Sequence, residues 1–184
     1  EYETLFTEIL EGKKNDAPYD KAAFLEYVKL NKSRQDRWLK KGGISEELKK
    51  KIEAIKEKQT WYAISEPWCG DAAHSLPFFK MVTDLNPNIE LKIVLRDTPP
   101  FMIENYLTNG GKSVPKVIAR NSNEEDIFVW GPRPHEAQEL FYEMKEKNLA
   151  FEDQKIKLQQ WYNKDKGVSL QQEILRELHP VEVL

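Results

Sequence analysis

The chain has a single cysteine, Cys69, among its 184 residues. That excludes an intrachain disulfide framework and the small secreted scaffolds that depend on one. No apolar run approaches the roughly 18 residues a membrane-crossing helix needs, so no membrane association is expected. Net charge is scarce as well: 28 Lys and Arg against 31 Asp and Glu leave −3, with the two signs interleaved. A nucleic-acid binder normally shows a basic face or stripe, so no nucleic-acid partner is expected. His74, His135 and His179 stand too far apart for metal-ligand spacing, and no metal site is expected. Gly42-Gly43 and Gly110-Gly111 fit no phosphate-binding glycine motif, and no cofactor is expected. There is no internal repeat, and no charged-then-apolar leader opens the chain. It begins at Glu1 without a methionine, which leaves a removed leader or tag open.

What is present is enough for a core: 40% hydrophobic and 11% aromatic residues. At about 150 residues per domain, the length predicts one domain with additions. Residues 1–57 read as a helical extension. Asp20 is placed to cap a helix carrying Phe24, Tyr27 and Val28, Gly42-Gly43 breaks it, and Ser45 caps a second with Leu48, Ile52 and Ile55 on one side. Lys49, Lys50 and Lys51 read as the solvated face of that helix, because acids are interleaved with them.

Residues 58–148 have a different pattern. Thr60–Ser65 and Ile89–Leu95 read as strands with a helix between them bearing Ala73, Leu76, Phe79 and Val82. Asp97–Pro100 leads into a helix with Met102, Ile103, Tyr106 and Leu107. Lys116–Arg120 and Asp126–Trp130 form a hairpin, and Pro134 opens a helix through Leu140, Phe141 and Met144. The order β-α-β-α-β-β-α predicts a mixed α/β sheet with helices on both faces. Residues 149–184 read as a second helical extension, in which Ser169 and Gln172 form a capping-box pattern. The three parts are expected to form one compact unit.

The candidate site lies at a strand-to-helix junction, Trp68-Cys69-Gly70-Asp71-Ala72, with Ser113-Val114-Pro115 ahead of the third strand. These segments resemble two signatures of the thioredoxin superfamily, the W-C-x-x-C segment and the X-Pro loop that faces it. With Leu107-Thr108-Asn109-Gly110 and Trp130-Gly131-Pro132-Arg133, the sequence is similar to a little-characterised bacterial branch of thioredoxin-like proteins. The resemblance implies a thioredoxin-like core. It also implies a cis Val114–Pro115 bond with Pro115 packed on Cys69, and a backbone at Val114 that presents a bound partner. Trp68 reads as a lid beside the thiol or as a partly buried structural aromatic. Relatives of this fold also occur in the periplasm; one unpaired cysteine favours the cytoplasm.

Apart from any resemblance, a cysteine at a helix start has its sulfur near unpaired N–H groups and the positive end of the dipole. Asp71 opposes a second negative charge, so a moderately reactive thiol with a pKa of about 7–8 is expected. Ala72 stands where the family has its resolving cysteine, so release of a mixed disulfide requires an external thiol. Ala63 stands where thioredoxins carry a buried carboxylate. The expected activity is single-cysteine thiol–disulfide exchange through Cys69, with Trp68, Val114 and Pro115 contacting the partner and Gly70, Asp71 and Ala72 tuning the thiol. Its partners would be protein or small-molecule thiols and disulfides. The alternative is a thioredoxin-fold binding module without redox turnover; a cysteine peroxidase finds no supporting threonine or arginine motif around Cys69.

Overall fold

The computed structural model describes residues 2–178. Three helices precede the sheet: α1 (Tyr2–Leu10), α2 (Ala22–Lys41) and α3 (Glu46–Glu53). The Ser45 side chain caps α3 as expected, accepting the Leu48 N–H at 3.3 Å. Helix α1 is not anticipated by the sequence reading; its apolar face, Phe6 and Ile9, closes a small second core with Tyr19 and Val28. Helix α2 starts after Lys21 and has no side-chain cap, so the role expected of Asp20 is not realised.

The strands carry the β-branched and aromatic residues. β1 (Gln59–Ser65) is central, parallel to β2 (Ile89–Leu95) on one side and antiparallel to β3 (Lys116–Asn121) on the other. β4 (Asp126–Trp130) completes the order β2-β1-β3-β4 by antiparallel pairing with β3. A parallel pair needs a crossover, and α4 (Gly70–Thr83) supplies it between β1 and β2. The expected mixed α/β arrangement is therefore the observed one. The register sets Ala63 between Ile93 and Val117, at the centre of the sheet.

After the sheet come α5 (His135–Glu146), α6 (Phe151–Asp165) and α7 (Val168–Glu177). Trp61, fully buried on β1, meets Phe79 of α4 and Phe128 of β4 edge-on. The same cluster of buried residues includes Leu48 and Ile52 from α3 and Leu170 and Ile174 from α7. At about 1.5–3 kcal/mol for each large apolar side chain, those flanking helices contribute substantially to the core that supports the site.

Two local expectations are corrected. The helix foreseen beyond Asp97 is only a four-residue 3-10 turn, Met102–Asn105. Pro99 and Pro100 supply no N–H donors there, and Phe101 takes a left-handed φ of 54°, which breaks helical continuity. The capping box of Ser169 with Gln172 does not form. Gly167 is the N-cap of α7, and the Asp165 carboxylate accepts from the Ser169 N–H at 3.1 Å and its hydroxyl at 2.5 Å. His179 lies outside the described residues.

Candidate functional site

The loop after β1 ends at Cys69, the N-cap residue of α4. Its backbone N–H donates to the Glu66 carbonyl at 2.9 Å, a tight turn that sets the sulfur above the first helical turn. Cys69 makes no side-chain capping hydrogen bond, although the backbone N–H groups of Ala72 and Asp71 at the helix start act in favour of a thiolate. Burial outweighs them. Cys69 is 7% exposed, and its thiol donates to the Val114 carbonyl oxygen at 3.3 Å. Burial first, and the Asp71 carboxylate second, push the thiol pKa up to about 12. The expectation of about 7–8 is therefore corrected. The Asp71 effect has the expected sign, but loss of water around the sulfur is the larger one.

The Val114–Pro115 bond is cis, and both residues are buried. Val114 thus meets the cysteine through its own carbonyl. Gly131 fits this loop because it has φ +110° and because a Cβ there would stand 2.3 Å from the Pro115 carbonyl oxygen. Lys116 ties the same corner, donating from Nζ to the Gly131 carbonyl at 2.8 Å.

Asp71 belongs to a polar cluster. Its carboxylate pairs with Arg133 at 2.7 Å, with both side chains 13% exposed, and accepts the Tyr162 hydroxyl at 2.8 Å. Arg133 stacks over Phe141, 4.1 Å from the ring centre, and donates to Gln138 at 3.1 Å. One helical turn on, His74 makes no contact with the thiol. Its Nδ1 accepts the Trp38 indole N–H at 2.9 Å, which fixes the proton on Nε2, and Nε2 donates to Gln159 at 2.9 Å. The ring stacks on Tyr162 at 4.4 Å. Burial pulls the His74 pKa down to about 3, so the ring is neutral at ordinary pH.

Trp68 is half-buried. It meets Phe24 edge-on, and the Arg96 guanidinium lies 4.8 Å from its ring centre. Beneath it, Glu66 is buried and accepts from the Tyr19 hydroxyl at 3.3 Å and the Asp97 N–H at 3.2 Å. Burial raises its pKa. A buried carboxylate is thus present three residues before the cysteine, held by Tyr19 and the Asp97 N–H, and the sequence alone did not single it out.

Cys69, Asp71, Trp68 and Val114 line one cleft of about 980 Å³. Its long walls are α2, with Phe24, Tyr27 and Arg34, and α6, with Phe151, Leu158 and Tyr162. Of the expected site residues, Trp68, Cys69, Gly70, Asp71 and Val114 reach this cleft, whereas Ala72 and Pro115 are buried and do not line it. His135 is exposed, 3.4 Å from Glu139. Arg34, Gln159 and Tyr162 were not foreseen: Gln159 and Tyr162 meet His74 and Asp71, 85 and 91 residues away in the chain, and Arg34 reaches the cleft from α2.

The family model described as thioredoxin matches residues 18–161. The chain belongs to this thioredoxin family. The matched span includes α2, the whole sheet and α6 as far as Trp161, so most of the two helices that wall the cleft falls within it, with Tyr162 just beyond its end. A crystal structure of an HIV epitope-scaffold is similar at 19% identity and a TM-score of 0.50, over 64% of this chain and 69% of that one. At that identity the likeness shows the fold alone. A protein of unknown function from Pseudomonas aeruginosa matches at 19% identity with a TM-score of 0.48, over 63% of this chain and 68% of its own. No curated protein matches the chain. Among the described residues, no helix is long and apolar enough to cross a membrane.

Proposed function

We propose that this thioredoxin-family chain is a binding protein whose ligand enters the cleft between α2 and α6 and meets Cys69 as a protonated thiol. One observation carries the reading: the Cys69 sulfur lies in the cleft wall, is stripped of water, and already donates to Val114. With the pKa pushed up to about 12, roughly one molecule in 10⁵ is a thiolate at pH 7. The chain also has no second cysteine to resolve an adduct, since Ala72 occupies that position.

Single-thiol exchange is the second reading, favoured by the Asp71 and Ala72 N–H groups and Arg133, all of which act in favour of a thiolate. In that reaction Cys69 gives its proton to solvent, and its sulfur bonds to one sulfur of a partner disulfide while the other leaves as a thiolate. An external thiol later reverses the step. Mass spectrometry of the protein isolated from its host, combined with insulin reduction by dithiothreitol, separates the two. Binding predicts an unmodified Cys69, a Cys69→Ser variant that keeps its ligand, and insulin reduction no faster than with reductant alone. A thiol adduct on Cys69, with Ala72→Cys gaining insulin reduction, would overturn it in favour of exchange.

A further inference from the structure

Five cationic side chains line the cleft: Arg34, Arg96, Lys112, Arg133 and Lys155. Four of them face a carboxylate. Arg96 pairs with Asp97 at 2.6 Å, Arg133 with Asp71 at 2.7 Å, Lys155 with Glu152 at 2.8 Å, and Lys112 with Glu104. Among the described residues, Arg34 is the cleft cation without an ion pair; its Nη1 donates to the Asn31 side-chain oxygen at 3.0 Å. It is half-buried, so water compensates its charge only in part. Burial and the neighbouring Arg37 lower its pKa, with Asp71 offsetting them in part, the signature of a guanidinium short of negative charge. Its Nη1 lies 3.5 Å from where a Cβ on Gly70 would stand, beside the start of α4 and the cysteine.

The rest of the cleft is largely apolar. Phe24, Tyr27 and Leu30 of α2 line it together with Phe151 and Leu158 of α6. Leu30 and Phe151 stay 46% and 66% exposed, large apolar side chains left uncovered at the cleft. The long walls are helices whose backbone groups are already paired within the helix, and the Val114 carbonyl is taken by the thiol. An extended peptide would therefore find little backbone to pair with, whereas an apolar body needs none. The volume of about 980 Å³ lies at the upper end of the roughly 300–1,000 Å³ typical of small-molecule sites.

We propose that the cleft binds a small amphipathic carboxylate, its anionic group on the Arg34 guanidinium beside Cys69 and its apolar body between α2 and α6. The guanidinium fork suits a carboxylate, which it can engage through two parallel N–H donors. The inference rests on the binding reading above and names the ligand class.

Dansyl-undecanoate and its neutral methyl ester are suitable probes, titrated by fluorescence against the full chain. The acid should bind at one equivalent, and the ester about tenfold or more weaker, because charge-assisted hydrogen bonds to the carboxylate are lost. Arg34→Gln should weaken the acid to the level of the ester, while Arg37→Gln, outside the cleft, should stay within about twofold of the unaltered protein. Circular dichroism verifies the fold of each variant. Should Arg34→Gln fail to fold, the comparison of acid with ester on the unaltered chain still decides. Equal binding of acid and ester, or an acid affinity untouched by Arg34→Gln, overturns the carboxylate assignment while leaving the cleft as a binding site. Failure of both probes to bind overturns the assignment and the small-molecule form of the binding reading together.

Discussion

Two buried titratable groups, Cys69 and His74, sit five residues apart at the start of α4, and they are held in different ways. His74 is fastened three times: Trp38 and Gln159 take its two ring nitrogens, and Tyr162 stacks on one face, although the ring also lines the cleft. Cys69 makes a single side-chain hydrogen bond, to Val114; it packs in the main core and reaches the cleft wall with a small part of its surface. Burial keeps both neutral, yet freeing the thiol breaks one hydrogen bond where freeing the ring breaks two and a stack. A perturbed pKa therefore does not by itself identify a working group; the number and kind of its partners separate a structural residue from an available one.

The sharpest test of that contrast is the chemical accessibility of the thiol. Iodoacetamide at pH 8 should modify native Cys69 about a thousandfold more slowly than the chain unfolded in guanidinium chloride, because a thiol pushed up to about 12 has few thiolates against a free value near 8.5. Equal rates in the two states would show that the thiol is not held as described.

Stability gives the next largest effect. His74→Ala removes one buried and one part-buried hydrogen bond and a stacked ring, and should cost about 3 kcal/mol in urea denaturation. Cys69→Ala should cost about 1 kcal/mol, since one weak donor and a small volume are lost. A larger loss for cysteine than for histidine would reverse the comparison. The pH dependence follows from the same group. Unfolded His74 takes up a proton below about 6.5, whereas the folded ring, pulled down to about 3, does not. The stabilisation from keeping it neutral is thus complete above pH 6.5 and lost as the pH falls toward 3, with a limiting slope of about 1.4 kcal/mol per pH unit. His74→Gln should flatten that part of the stability profile.

How much of this was legible beforehand varies with distance along the chain. The hairpin strand Asp126–Trp130 and the strand Ile89–Leu95 have the expected bounds, because alternation and turn residues are local signals. Cys69, Asp71 and Val114 were found because short motifs carry them. The thiol pKa was misjudged because the sequence shows the helix start but not the burial around it. Arg34, Gln159 and Tyr162 left no local trace. The Tyr162–Asp71 hydrogen bond spans 91 residues and the His74–Gln159 one spans 85, so helical periodicity could place these side chains on a face but not against a partner. Helix α1 was missed for a related reason: nine residues carry too short an apolar stripe to stand out before the core that receives it is known.

The smallest expected effect concerns Asp71, which belongs to neither half of the comparison. Its charge disfavours the thiolate, so Asp71→Asn should speed iodoacetamide modification of Cys69 by a few-fold to about tenfold, without restoring the rate of the unfolded chain. The substitution keeps an acceptor for Tyr162, so the packing is preserved, and leaves Arg133 unpaired, which favours a thiolate. A slower reaction would mean that Asp71 acts on the thiol through structure rather than through charge.

The bond between Tyr162 and Asp71 also bears on how the molecule is made. A chain leaves the ribosome from its N-terminal end, at roughly 5–20 residues per second. Asp71 emerges 91 residues ahead of the phenol that covers it, and the sheet is fully synthesised before α6 exists. For several seconds of synthesis, the nascent polypeptide carries its cysteine and its strands but only one long wall of the cleft. Occupancy that depends on both walls is therefore a property of the finished protein, and a ligand held there distinguishes a completed polypeptide from one still under construction.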